Sequence, residues 1–281
     1  MAGTLFIVAT PIGNLGDLSP RAAETLRQVP IVVAEDTRQT RKLLHHTASV
    51  ARLVSLHAHS PPGRVEQCLQ HLVEGTDLAL CTDAGTPGVS DPGPALVAGA
   101  RALGITVVPI PGPSAVATAL SVTGWPADRY VFMGFPPRKG PGREAWLERI
   151  RSSPDPVVCF EAGNRAARLV ADVARTCGAN RGVMIGREMT KKFEEFQLGS
   201  AADLAATLGD GELRGETTIV VSGAAEGPEE DRSGGDRALA ATMVRALLRS
   251  GVERSRIARV IGEVFELSRN ESYRLAMEAA E

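Results

Sequence analysis

Aromatic residues make up only 4% of the 281-residue chain. So thin a supply argues against a base-stacking platform of the RNA-recognition-motif kind. Lysine is scarce too, with 4 lysines among the 31 basic residues. The arginine excess, beside abundant alanine, glycine and proline, reads as genome base composition. An excess of either charge is also missing: 31 basic side chains face 33 acidic ones, a net charge of −2. Bulk coating of a polyanion is therefore disfavoured, because such domains are strongly basic. No run of apolar residues is long enough to span a bilayer. Met1-Ala2-Gly3-Thr4 offers no basic n-region, and Leu5–Ala9 is too short for a signal peptide, so a cytoplasmic protein is expected. The four cysteines, Cys68, Cys81, Cys159 and Cys177, are far apart and form no CxxC pair. Buried free thiols are the expectation, with no metal. His57-x-His59 has no partner cluster and reads as a structural or RNA-facing pair.

What is present is a repeated order of strand and helix. Apolar runs at Leu5–Ala9, Ile31–Ala34, Leu53–Leu56, Leu78–Cys81 and Thr106–Ile110 alternate with helical periods at Ser19–Val29, Val65–Glu74 and Pro94–Leu103. Ser19 is placed as an N-cap with Pro20 at the first helical position. This order predicts an α/β domain with a parallel sheet over residues 1–122. A boundary near Gly124-Trp125-Pro126 opens a second α/β unit with a mixed sheet, 123–224. Its strands are expected at Val157–Glu161, Gly182–Arg187 and Thr217–Ser222, and its helices at Arg143–Arg151, Arg165–Cys177 and Asp203–Leu208. Residues 225–236 read as an acidic linker. Residues 237–281 carry three helical patterns, a helix-turn-helix-like tail or a plain helical cap. The net charge divides into zero for 1–224, −4 for the linker and +2 for the tail.

Ligands of open α/β sheets bind outside the carboxyl ends of the strands. Three such ends carry Gly/Pro loops: Thr10-Pro11-Ile12-Gly13-Asn14-Leu15-Gly16-Asp17, Thr82-Asp83-Ala84-Gly85-Thr86-Pro87-Gly88-Val89-Ser90-Asp91-Pro92-Gly93, and Pro111-Gly112-Pro113-Ser114-Ala115. They allow close backbone approach. Neither a GxxxxGK[ST] nor a GxGxxG after a strand occurs, and the loops hold acids but no lysine or arginine. A small, polar, cationic cofactor fits better than a polyphosphate. S-adenosylmethionine, with its sulfonium, ammonium and ribose hydroxyls, meets that description.

Thr10-Pro11-Ile12-Gly13-Asn14-Leu15, Ala34-Glu35-Asp36-Thr37-Arg38, Asp83-Ala84-Gly85-Thr86-Pro87, Asp91-Pro92-Gly93 and Pro111-Gly112-Pro113-Ser114 stand in this order. Together they resemble the ribosomal RNA small subunit methyltransferase I family of the tetrapyrrole-methylase (class III methyltransferase) fold. Arg187-Glu188-Met189-Thr190-Lys191 and Gly215-Glu216 are similar to two later motifs of that family. The resemblance runs from about residue 3 to 222. It implies two α/β domains with a small helical C-terminal module, and S-adenosylmethionine as cofactor. It further implies a homodimer and 2′-O-methylation of a decoding-centre cytidine, cytidine 1402 of 16S rRNA, in the small ribosomal subunit. Where the family has Glu-Ser-(Pro/Thr)-His-Arg, this chain has Glu161-Ala162-Gly163-Asn164-Arg165. The alternatives are a tetrapyrrole methylase of the same fold and a non-catalytic RNA-binding assembly factor.

On this reading Thr10, Pro11, Asp83, Ala84, Gly85, Thr86, Ser114 and Ala115 line the cofactor cleft. Phe160 and Gly215–Thr217 close it from the second domain. For Phe160 core packing is the competing reading. Asp36, Glu161, Glu188 and Lys191 are candidates for accepting or orienting the hydroxyl proton. Asp36 also suits a helix cap. Arg38, Arg138, Lys139, Arg143, Arg254 and Arg256 are candidate RNA contacts, set against ordinary solvated arginines.

Overall fold

In the computed structural model the first five strands are β1 (Leu5–Val8), β2 (Ile31–Ala34), β3 (Arg52–Ser55), β4 (Leu78–Cys81) and β5 (Val107–Ile110). They form one all-parallel sheet in the order β3-β2-β4-β1-β5. The structure describes residues 1–57, 60–61, 63–90, 93–209, 211 and 213–224, and in the tail 240, 242–245, 247–249, 252–265 and 269–278. Asp91, His59 and the acidic linker lie outside the described residues.

Side chains alternate across a strand, and the core follows that alternation. Ile31, Val33, Leu78 and Leu80 pack on α3 (Arg64–Val73) and α4 (Pro94–Ala102) through Cys68, Leu72, Leu96 and Ala100. Val32, Ala79 and Cys81 face the other way, onto α1 (Pro20–Gln28) and α2 (Thr37–His46) through Leu26, Leu43 and Leu44. Burying one such side chain contributes roughly 1.5–3 kcal/mol. The helix starts are set by side-chain caps. Ser19 Oγ accepts from Ala22 N at 3.1 Å, Asp36 Oδ1 from Arg38 N at 2.8 Å, and Ser114 Oγ from Ala117 N at 3.4 Å. Ser114 thereby opens α5 (Ala115–Ser121).

The second sheet is mixed, in the order β6-β7-β10-β8-β9. Its strands are β6 (Val131–Phe132), β7 (Val157–Ala162), β8 (Gly182–Arg187), β9 (Glu195–Ser200) and β10 (Glu216–Val221). Only β6 and β7 run parallel. The edge strands β6 and β9 were not foreseen: β6 has two residues inside a Pro/Gly-rich stretch, and the apolar residues of β9 turn outward. One face of this sheet packs on α6 (Pro141–Ser152), α7 (Gly163–Cys177) and α8 (Ala201–Leu208). On the other face Val158, Met184 and Val220 pack against Ile12 and against Val116, Ala119 and Leu120 of α5. That shared core seats the loops of the first sheet on the second, within one unit spanning Met1–Gly223.

The unit Ala224–Glu281 has its own small core. Ala240 and Val244 of α9 (helical at 240, 242–245 and 247–249) meet Ile257, Ala258 and Ile261 of α10 (Arg254–Val264) and Leu275 and Ala276 of α11 (Arg269–Glu278). Arg254 and Arg256 are exposed on α10. Among the described residues no helix is long and apolar enough to cross a membrane, and no His/Cys/Asp/Glu group could hold a metal.

Candidate active site

The three loops singled out in the sequence come together. Thr10 N donates to Gly85 O at 2.8 Å and Gly85 N to Thr10 O at 3.0 Å, tying the β1 and β4 loops. Thr86 Oγ1 donates to Pro113 O at 3.2 Å, tying the β4 and β5 loops. Opposite them stand the ends of β7 and β8 and the start of β10, which share one edge because β7 and β8 both run antiparallel to β10. Between the two sides lies a cavity of about 430 Å³, within the range of small-molecule sites.

Asp83, Ala84, Gly85, Thr86, Ser114 and Ala115 line it from the first side. Phe160, Glu161, Glu188, Lys191, Gly215 and Thr217 line it from the second. Glu216, inside the expected Gly215–Thr217 stretch, lines it as well, whereas sequence reasoning missed the apolar wall of Ile12, Val116, Phe135 and Met189. The lining carries four carboxylates, Asp83, Glu161, Glu188 and Glu216, against the single ammonium of Lys191. Such a surface favours a cationic or hydroxylated ligand over a polyphosphate.

Two expected lining residues take other places. Thr10 is only 2% exposed, and its hydroxyl donates inward to Thr82 O at 3.1 Å. Neither it nor Pro11 reaches the cavity surface, so Thr10 braces the loop instead. Asp36 also stays off the lining and caps α2. Its backbone N–H donates to Asp83 Oδ1 at 2.9 Å, which fixes the carboxylate that does face the cavity.

The charged edge of the second sheet is a small network. Glu188 Oε1 accepts from Lys191 Nζ and Glu216 N, both at 3.0 Å, and Lys191 Nζ also donates to Glu216 Oε2 at 2.9 Å. The Glu216 amide, with help from Lys191, holds the Glu188 carboxyl below its ordinary range. Burial works against the Lys191 ammonium, but hydrogen bonds to Glu216 and Glu188 outweigh it and raise its pKa. Glu188 and Thr190 both take left-handed backbone, at φ of 48° and 65°. Non-glycine residues rarely do so, and strained positions of this kind concentrate at functional sites. A Cβ on Gly215 would lie 2.4 Å from Glu188 Oε1, and one on Gly13 would lie 2.8 Å from Met189 O. Glycine at 13 lets the first-sheet loop close on the second sheet, and glycine at 215 makes room for Glu188 within the second wall.

Glu161 is buried, its Oε1 accepting from Ala162 N at 2.8 Å and Arg165 Nε at 2.7 Å. The Phe160 ring stacks edge-on with Phe132 at 4.9 Å and Phe135 at 5.6 Å, so it is both wall and packing. Hydrogen bonds from Arg38 pull the Asp36 carboxyl down to about 2. Glu35 behaves oppositely: burial and the neighbouring Asp83 charge raise its carboxyl, although Thr82 Oγ1 donates to it at 3.3 Å. Its place beside Asp36 at the end of β2 was the available sequence signal for it.

Of the arginines proposed for RNA, Arg38 is exposed beside Asp36, and Arg138 and Lys139 are exposed in the turn before α6. Arg143 must be corrected. It is 8% exposed, ion-paired to Asp172 at 2.7 Å, and donates to Pro137 O at 3.0 Å. A guanidinium buried against Asp172 and Pro137 is not presented to a phosphate.

Residues 4–205 match the model of the tetrapyrrole (corrin/porphyrin) methylases. A ribosomal RNA small subunit methyltransferase I of Xylella fastidiosa is 42% identical over 273 residues, covering 96% of this chain and 98% of its own. That of Micromonospora olivasterospora is 44% identical over 281 residues, covering 99% and 88%. Among solved structures, a uroporphyrin-III C-methyl transferase from Thermus thermophilus complexed with S-adenosyl homocysteine superposes with a TM-score of 0.57 at 14% identity, covering 78% of this chain and 97% of its own. A diphthine synthase does so at 0.60 and 15%, covering 78% and 90%. With the fold, the strand-end cavity and near-full-length relatives in agreement, this chain belongs to the ribosomal RNA small subunit methyltransferase I family of the tetrapyrrole methylases, and it is a methyltransferase.

Proposed function

We propose that this chain is an S-adenosylmethionine-dependent enzyme that methylates the ribose 2′-hydroxyl of a decoding-centre cytidine in 16S rRNA, within the small ribosomal subunit. The observation that carries the reading is the acid-rich cavity between the two sheets. Similarity over nearly the whole chain to relatives that bear an rRNA methyltransferase name supports the acceptor. A homodimer working in the cytoplasm is part of the same reading, checked by sedimentation mass and by fractionation.

The residues fit the cofactor. Asp83, Glu188 and Glu216 would hold its positive groups, Ile12, Met189 and the Phe160 ring its adenosine, and Ser114 and Ala115 its methionine end. When bound, S-adenosylmethionine supplies an electrophilic methyl group on a positively charged sulfur. The chain supplies alignment and a route for the proton. Efficient proton acceptors have a pKa near the working pH. Asp36 and Glu188 are held ionised by their donors, and Lys191 keeps its proton. Glu35, raised by burial and by the neighbouring Asp83 charge, is off the cavity lining, so any proton it takes must reach it through a side chain or water that does line the cavity. Lys191 orients Glu188 and Glu216.

The test is tritium transfer from labelled S-adenosylmethionine to small subunits, naked 16S rRNA and uroporphyrinogen offered in parallel. Label on RNA is expected. Label on uroporphyrinogen alone would replace this reading with that of a tetrapyrrole methylase, and no label with no cofactor binding would leave a non-catalytic RNA-binding factor.

A further inference from the structure

Helix α2 (Thr37–His46) reads Thr-Arg-Gln-Thr-Arg-Lys-Leu-Leu-His-His, with no acidic residue between its ends. Its buried residues are Thr40, Leu43 and Leu44. Arg38, Arg41, Lys42, His45 and His46 are exposed. Residues three and four apart share a face. At 3.6 residues per turn Arg38, Arg41, Lys42 and His45 fall within an arc of roughly 100°, opposite the buried side. Among the described residues the one hydrogen bond of Lys42 Nζ is to the neutral Gln39 Oε1, at 3.0 Å, and Arg41 has no hydrogen bond or ion pair. Among the described residues only Arg38 is answered by a carboxylate, that of the capping Asp36. A cationic stripe thus stands on a body whose first 224 residues carry no net charge.

The stripe starts at the cavity. The N-cap residue Asp36 donates its backbone N–H to Asp83 Oδ1 at 2.9 Å, and Asp83 lines the cavity. From Arg38 to His45 the helix rises about 10 Å at 1.5 Å per residue. Successive phosphates of one strand are spaced about 3.4 Å apart along a duplex axis, so the stripe spans about three of them.

We infer that the exposed face of α2 is a track for the RNA phosphate backbone leading the acceptor nucleotide to the cavity. This rests on the RNA acceptor proposed above. It extends the Arg38 contact to Arg41, Lys42 and His45, which no motif singled out. The neutral body makes the attraction local, so the track sets the register of the strand at the cavity mouth and leaves the rest of the subunit to shape recognition. Phosphate contacts position a nucleic acid without reading its sequence.

The test uses the full chain and a 16S rRNA fragment containing the decoding region, with affinity measured between about 50 and 200 mM salt. Arg41→Glu/Lys42→Glu should weaken RNA binding at least about tenfold and lower the slope of log affinity against log salt by about 1.5. Affinity for S-adenosylmethionine should stay at the wild-type value, which also shows that the variant is folded. Arg41→Gln/Lys42→Gln should fall between the two. Wild-type RNA affinity and salt slope in the Glu variant, with wild-type methylation of small subunits intact, would overturn the track alone. Displacement of RNA by polyglutamate at equal charge concentration would assign the stripe to an acidic protein and overturn it too. A wild-type chain that neither binds nor methylates rRNA would remove the parent reading and the track together.

Discussion

On the side of the first sheet the cavity is walled by loops that hydrogen bonds hold to each other, with Asp83 as their one charged lining residue among those described. On the side of the second sheet it is walled by a charged network, Glu188, Lys191 and Glu216, built on left-handed backbone. The difference follows from topology. A parallel sheet ends in crossover loops that can close over a ligand with glycine and proline. An antiparallel edge brings a strand end and a strand start side by side, which places Glu188 against Glu216. One wall supplies shape and the other supplies charge.

The largest break in this comparison is expected where the walls touch. Gly13→Ala drives a methyl group against the Met189 carbonyl and the Lys191 stem. It should cost about 1–3 kcal/mol of stability by overpacking and reduce S-adenosylmethionine affinity, read by urea denaturation and calorimetry. Gly215→Ala comes next. Its φ of 91° and the clash with Glu188 Oε1 confine the damage to the charged wall, at about 1–3 kcal/mol. If Gly13→Ala leaves binding intact while Gly215→Ala abolishes it, the shape wall is dispensable.

Asp83→Ala is smaller in stability and sharper in function. The side chain is exposed, so the fold should tolerate the change, while cofactor affinity should fall about tenfold or more for loss of a charged partner. Wild-type affinity would remove Asp83 from the site. Glu35→Gln should lower the rate of methyl transfer and flatten its pH profile on the acid side, with cofactor affinity kept. An unchanged profile would return the search for a proton acceptor to bulk water.

The smallest effect is electrostatic. The Glu188 carboxyl is lowered from 4.5 in the folded chain. It therefore stabilises the fold above pH 4.5, and that contribution is lost as pH falls through the lower folded value. Lys191, raised from 10.5, contributes below pH 10.5 and loses its contribution as pH rises through the higher folded value. Glu188→Gln should remove the acid-side loss, by under about 1 kcal/mol for a pair near the surface. Urea midpoints followed from pH 7 down to about 3 read it.

Much of this was legible in the sequence. The apolar runs of β1 to β5 and the caps Ser19, Asp36 and Ser114 are local signals, and Gly/Pro loops at strand ends point to a site by topology alone. What stayed hidden depends on partners far along the chain. Arg143 looked like a loop cation, yet Asp172, 29 residues on, buries it. Thr10 looked like lining, yet its hydroxyl is taken by Thr82, 72 residues on. Strand β9 alternates Phe196 and Leu198 toward solvent, so its pattern carried no core signal of its own. The raised carboxyl of Glu35 arises from burial and then from Asp83 across the sheet, which no local pattern reports.

The most direct measurement is the position of the methyl group after the chain has acted on small ribosomal subunits with tritiated S-adenosylmethionine. A 2′-O-methyl ribose blocks alkaline cleavage at its own phosphodiester. The account predicts label in an alkali-resistant dinucleotide beginning with a cytidine of the 16S decoding region. Label released as a free methylated base, or recovered from uroporphyrinogen and not from RNA, would contradict it.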